Sequence, residues 1–240
     1  MSSKTIDHKA GMKLINNRGL LLLLIIVGAI INVNTVNGHS FYFNKNTESK
    51  IYLRFGEYQG EYERSPGYLD NLDFIYAWFI DNNQTAKKLK IKKENDGFLI
   101  DEINTDVIAA QTGFPVMQRG NSKPRKPFFY ARWVSDYNRK YLPCLTLDLV
   151  PNGKLGEGVL YFRGSIAAGV EVNLYTPEIE KINLVTDEDG KITFRKYLLQ
   201  NGCYMIKVPR YSEVLKGYDM GEFYEIVSHN YSLTWLHSKK

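Results

Sequence analysis

Residues 158–208 decide the fold: GVLYFRGSIAAGVEVNLYTPEIEKINLVTDEDGKITFRKYLLQNGCYMIKV. Apolar and polar residues alternate in short runs, and the runs are separated by turn formers. The pattern predicts strands at Val159 to Arg163 and Val170 to Tyr175, on either side of Gly164-Ser165-Ile166-Ala167-Ala168-Gly169. It predicts two more, at Ile182 to Val185 and Ile192 to Arg195, flanking Asp187-Glu188-Asp189-Gly190. The Asp-Gly step there is a hairpin signal. That acidic turn superficially echoes a calcium loop, but the glutamate such a loop carries at its twelfth position is missing, so it reads as a turn. A further strand, Tyr204 to Val208, follows Asn201-Gly202.

The same period of two extends outward. Downstream, Val227 to Leu236 closes the series. Upstream, Leu145, Leu147 and Leu149 alternate before Pro151-Asn152-Gly153. Further back, Phe41 and Phe43, then Ile51, Leu53 and Phe55, read as half-buried strands, as do Phe74 to Ile80, Val107 to Ala110 and Phe128 to Val134. Lys88, Lys90 and Lys92 alternate with Leu89 and Ile91, which marks a solvated strand face. Ser65 and Pro66 open a short helix running to about Leu72, and Asp81 to Gln84 forms a turn. The expected class is all-β: two β-sandwich domains in tandem, over residues 39–135 and 144–240, joined by a polar linker at 136–143.

Residues 1–38 read as a signal peptide with an N-terminal extension. Lys13 and Arg18 precede an apolar run, Gly19 to Ile31, which is short for a span of about 20 residues but suits a secretory core. Val36-Asn37-Gly38 supplies small residues for a cut before His39, and Met12 is an alternative start. The run also fits an uncleaved anchor, and other cut positions stay open. Removing the four basic residues and one acidic residue of this segment lowers the net charge from +5 to +2. The balance therefore gives no sign of a nucleic-acid partner. The expected location is the periplasm or the outside, with no membrane span in the mature chain. Cys144 and Cys203 could bridge in that compartment or stay free.

The segment from Gly158 to Val208 resembles the transthyretin-like and carboxypeptidase-regulatory-like sandwich modules. The leader ending at His39, with LRFGEYQGEYERSPGYLDNL and LDLVPNG…LYFRG, resembles the periplasmic family known as domain of unknown function 4198. That resemblance implies association with nickel or cobalt uptake. It matches His39, Gly56, Glu57, Ser65, Pro66, Leu69, Asp70 and His229 to family positions. With only His39, His229 and His237 after the leader, the chain departs from the family's histidine-rich members.

The chemistry to test is a metal site formed by the amine and imidazole of His39, with His229 and Glu57. Nitrogen donors favour nickel or copper over calcium or magnesium, and the resemblance puts nickel or cobalt first, with copper or zinc as alternatives. Its owner would be an exported transition-metal-binding protein that delivers metal to a membrane uptake transporter. His229 shares parity with Val227, Tyr231, Leu233 and Trp235, so a core histidine is the competing reading. Glu57, Glu61 and Glu63 also read as the polar rim of a loop, and His237 as a terminal solvated residue. Asp101 with Glu102, and Asp70 with Asp73, are acidic pairs that nothing beyond charge marks as catalytic. No phosphate loop or nucleophile motif occurs, so an enzyme is not expected. The alternative is a non-catalytic secreted β-sandwich that binds a protein or glycan partner, with Tyr58, Tyr62, Tyr68 and Tyr211 on its surface. A copper oxidase using a terminal-histidine brace ranks last.

Overall fold

The computed structural model describes residues 38–46, 48–81, 85–100 and 105–239. The leader as far as Asn37, most of the turn at Asp81 to Gln84, and the pair Asp101 and Glu102 lie outside the described residues. Sixteen strands and two single turns of 3-10 helix are described, so the chain is all-β.

The first strands are β1 (Ser40–Lys45), β2 (Ile51–Gly56), β3 (Ile75–Ile80), β4 (Ala86–Lys88), β5 (Ile91–Glu94) and β6 (Gly97–Ile100). Then come β7 (Val107–Gly113), β8 (Arg125–Val134), β9 (Leu147–Pro151), β10 (Glu157–Phe162) and β11 (Ser165–Ile166). The chain finishes with β12 (Glu171–Tyr175), β13 (Lys181–Val185), β14 (Lys191–Thr193), β15 (Gly202–Asp219) and β16 (Glu222–His237). They form three sheets. A central sheet runs β13-β12-β15-β16-β8-β7-β3-β4, one outer sheet runs β1-β2-β6-β5, and the other joins β9, β10, β11 and β14.

The alternation of side chains along a strand builds a core on each face of the central sheet. On β7 and β8, Ile108, Ala110, Phe129, Ala131 and Trp133 point one way and meet Phe41, Phe43, Leu53, Phe55 and Phe98 of the first outer sheet. Val107, Ala109, Tyr130 and Val134 point the other way and meet Leu147, Leu149, Leu160 and Ile192 of the second. The arrangement is two sandwiches that share their middle sheet.

This corrects the tandem expectation. β8 pairs in parallel with β16 from Arg125↔Ile226 to Trp133↔Thr234, so residues from both expected domains lie side by side in one sheet. Residues 38–240 cluster as one unit. The expected linker at 136–143 is packed rather than free: Tyr137 is buried in the second core, and the guanidinium of Arg132 donates to the Leu142 carbonyl at 3.1 Å. Arg132 also faces Asp148 in a fully buried ion pair, and Asp148 accepts from the backbone N–H of Cys144 and Leu145. Losing either charge there would cost about 3–5 kcal/mol, because the partner would be left buried and alone.

Three local expectations change for similar reasons. Asp187 to Gly190 does turn, with the Asp187 side chain accepting from the N–H of Asp189 and Lys191, but it makes no hairpin. Thr186 stays bonded to Val170 beside β12, while the Gly190 carbonyl takes the Leu160 N–H of β10, so the turn carries the chain from one sheet to the other. The lysine run is solvated as expected. It breaks at buried Leu89, however, leaving β4 in the central sheet and β5 in an outer one. The helix after Pro66 is one 3-10 turn, Tyr68–Asn71, with the Asp70 carboxylate accepting from the Gly67 N–H and the Ser65 hydroxyl.

Candidate functional site

His39 precedes β1, and its ring packs against Phe55 at 5.4 Å, at the edge of the first core. Its Nε2 lies 2.7 Å from Glu63 Oε1. Glu57 follows β2 in a tight turn, with its N–H bonded to the Glu61 carbonyl and its own carbonyl accepting from the Tyr42 hydroxyl. Gly56 before it has φ of 146°, and a side chain there would collide with the backbone of Glu61 and Tyr62. The Gly56-Glu57 pair is therefore explained by backbone crowding. Glu57 is exposed, and its charge reaches Lys207 and Tyr175.

His229 lies in the other core. It is 3% exposed and sandwiched by Phe128, Tyr130 and Phe162. Both ring nitrogens are bonded, Nδ1 to the Tyr130 hydroxyl at 2.9 Å and Nε2 to Glu213 Oε1 at 3.0 Å. A carboxylate only accepts, so Nε2 carries the proton and Nδ1 accepts from Tyr130. Arg163 binds the same Glu213 oxygen at 2.6 Å. Burial pushes the His229 proton affinity down, against the pull of Glu213.

The expected trio of His39, His229 and Glu57 is thus not assembled. The two histidines belong to cores on opposite faces of the central sheet, and His229 spends both nitrogens on protein partners. Among the described residues there is no group of three or more His, Cys, Asp or Glu side chains placed to share a metal ion. The structure pairs His39 with Glu63 instead, a residue the sequence offered only as a loop rim. The carbonyl of Gly38, on the bond the leader reading would cut, accepts from Lys207 Nζ. Burial lowers the pKa of that lysine to about 8.

The thiols do not bridge. Cys144 packs on one core and Cys203 on the other, and both are free. Burial pushes the Cys144 thiol up to about 12 and raises that of Cys203. Of the four tyrosines expected at the surface, only Tyr68 is openly exposed. Tyr58 is buried with its hydroxyl on the Cys203 carbonyl, Tyr62 packs on that cluster, and the Tyr211 ring lies tilted against Phe162. Tyr68 lines an open groove of about 730 Å³ with Arg64, Glu61, Glu63 and Asp96. His237 is half-buried, with its ring edge-on to Tyr204 at 5.8 Å.

One exposed apolar feature among the described residues was missed from sequence. β15 and β16 continue past Ile226, where β8 begins, as a two-stranded ribbon that runs from the Val214–Ile226 pair to the Asp219–Glu222 turn. Its tip exposes Tyr218 (75%), Met220 (92%) and Phe223, while Val214 (79%) and Leu215 are exposed at its base. Tyr218 and Phe223 pair across the strands at 5.4 Å. Met220 and Gly221, with φ of 48° and 89°, close the loop with the two positive values of a type I′ turn. Lys126, buried at the start of β8, ties the ribbon down through Asp219 and Asp73.

No protein-family model and no curated protein matches the chain. No helix among the described residues is long and apolar enough to cross a membrane.

Proposed function

We propose that this chain is an exported, non-catalytic β-sandwich module that binds a protein partner through the tip of the β15–β16 ribbon. The observation that carries this reading is the exposure of Val214, Tyr218 and Met220 together on a two-stranded projection. A bare ribbon is marginal in water, and an exposed apolar edge invites unwanted pairing. Methionine, tyrosine and phenylalanine are also the apolar types enriched where proteins meet. A photo-crosslinking residue at position 220, introduced in the native host, is expected to capture one discrete protein. Combining it with Val214→Ser and Tyr218→Ser is expected to abolish the adduct with little change in Tm. A crosslinker at position 220 that yields no protein adduct counts against the reading.

A second reading, metal capture for an uptake transporter, is favoured by one observation. If the chain is cut before His39, Glu63 holds the Nε2 proton and leaves Nδ1 free beside the new amine. Carboxylates orient metal-binding histidines in this way. The donors would be the amine and imidazole Nδ1 of His39, with Glu63 orienting the ring from outside the coordination sphere and no part for His229 or Glu57. Calorimetric titration with nickel, cobalt, copper and zinc tests it. One extra residue ahead of His39 is expected to weaken binding at least tenfold, about 1.4 kcal/mol, whereas equal affinity for both forms sinks the chelate.

A further inference from the structure

A bare edge strand offers unpaired N–H and C=O groups to any other strand, and folded proteins guard such edges. Most sheet edges here are guarded. β4 has three residues, two of them lysine, and β5 carries Lys92 and Lys93. β11 and β14 are only two and three residues long. β1 meets β16, where the Ser232 hydroxyl donates to the Phe41 carbonyl. β9 is flanked by the 136–143 stretch, where the Tyr141 N–H donates to the Pro151 carbonyl at 3.2 Å. β13 is different. It has five residues, KINLV, with no proline, and among the described residues only β12 pairs with it.

The bonds to β12 show which groups of β13 are open. At one end the Thr186 N–H donates to the Val170 carbonyl at 3.0 Å, and at the other the Thr176 N–H donates to the Glu180 carbonyl at 3.1 Å. Bonded and unbonded pairs alternate along an antiparallel ladder. Leu184 and Ile182 therefore direct both backbone groups at Val172 and Leu174. Lys181, Asn183 and Val185 direct theirs away from β12, to the outside of the sheet. The side chains sort by the same parity. Ile182 and Leu184 are half-buried against the second core, whereas Lys181, Asn183 and Val185 are exposed on the other face. A strand laid along this edge would bond to three residues and set its alternate side chains beside Ile182 and Leu184.

The charges at its two ends select the occupant. Glu178 and Glu180 precede β13, Asp187, Glu188 and Asp189 follow it, and Glu171 stands opposite Val185 on β12. All of these acids are exposed, and Lys181 is the one basic residue in 171–190. A second copy of the chain fits poorly. Pairing β13 with itself, antiparallel over its full length, sets Glu178 opposite Glu188 and brings Glu180 alongside Asp187, and like charges placed opposite are destabilising. We propose that the open edge of β13 is a docking site for an extended segment of a partner protein, with apolar residues at alternate positions and basic residues at both ends. This surface is separate from the ribbon, because β13 lies on the side of β12 away from β15. The proposal holds whether or not the ribbon tip engages a partner.

The test pans the immobilised full chain against random peptides displayed on phage. Recovered peptides are then synthesised, titrated by calorimetry and located by amide hydrogen exchange. The expected winners alternate apolar residues and carry lysine or arginine at both ends, and they bind more weakly as salt rises. They are expected to slow exchange at the N–H groups of Lys181, Asn183 and Val185. Asn183→Pro removes one outward N–H that the β12 ladder does not use, and is expected to weaken binding at least tenfold. Should that variant fail to fold, a peptide N-methylated at its central residue removes the matching bond from the ligand side, with the same loss expected. Winners with acidic ends, winners that protect the ribbon amides from Val214 to Ile226 instead of β13, or no winners at all overturn the proposal. A dimer seen by ultracentrifugation and abolished by Asn183→Pro also overturns it, in favour of a second copy.

Discussion

His229 shows how one side chain can be placed correctly and read two ways. Its parity with Tyr231, Leu233 and Trp235 puts it on an apolar face, and that much was visible in the alternation. Its partners were not, because Glu213 and Tyr130 come from strands 16 and 99 positions away. Parity within a strand says nothing about which strand will lie alongside. The burial of its ring also sets a pH dependence. The folded state holds His229 below its ordinary pKa of about 6.5, so the unfolded chain binds the proton more readily. Stability is therefore full above about pH 6.5 and is lost as pH falls toward the depressed folded value. The expected slope is up to about 1.4 kcal/mol per pH unit in that window. Urea unfolding of the parent and of His229→Gln between pH 5 and 8 checks it: the variant is expected to lose this component of the slope. An unchanged slope would assign the dependence to other groups. From sequence His39 was grouped with Glu57 as its carboxylate partner, and the structure sets Glu63 beside it instead. The turn at Gly56 folds the chain back so that the third acid of the loop comes round to the histidine.

At the level of the element, most strand cores were legible because period-two alternation survives wherever one face is buried. The ribbon of β15 and β16 was not, for two reasons. Beyond Ile226 both of its faces meet water, so alternation carries no signal. Its loop also lacks the Asn-Gly or Asp-Gly step that marks a type I′ turn, since Met220 occupies the first positive-φ position. A non-glycine residue held left-handed costs on the order of 1 kcal/mol, and asparagine tolerates the conformation better. Met220→Asn is therefore expected to stabilise the protein by about 0.5–1 kcal/mol, measured by urea unfolding. The same substitution removes the most exposed apolar group and is expected to weaken partner capture. A variant both more stable and equally good at capture would separate the tip from the interface. The Asp-Gly step at 189–190 gives the converse lesson. It predicts a turn, but whether the two arms then pair depends on which strands already hold them.

For the molecule as a whole, the all-β class and the count of two sandwiches were legible, and their sharing of a sheet was not. Local patterning marks strands and turns, while the parallel pairing of β8 with β16 links residues about 100 positions apart and leaves no local trace. A polar stretch such as 136–143 looks like a linker whether or not Tyr137 is buried beneath it. The shared sheet makes a direct prediction: neither 39–135 nor 144–240 is expected to fold when produced alone. Circular dichroism and cooperative thermal melting check this. A sharp melt of either half would restore the tandem arrangement.

The central place of β16 also has a consequence for how the chain is made. It is the final described strand to leave the ribosome, yet it sits between β15 and β8 and completes both. Until it arrives, one long flank of β8 has bare amide and carbonyl groups, and the three sheets have no keystone. A chain that has not yet added β16 keeps that flank open to association. Premature stop codons that spare nine-tenths of the protein would still leave no folded product.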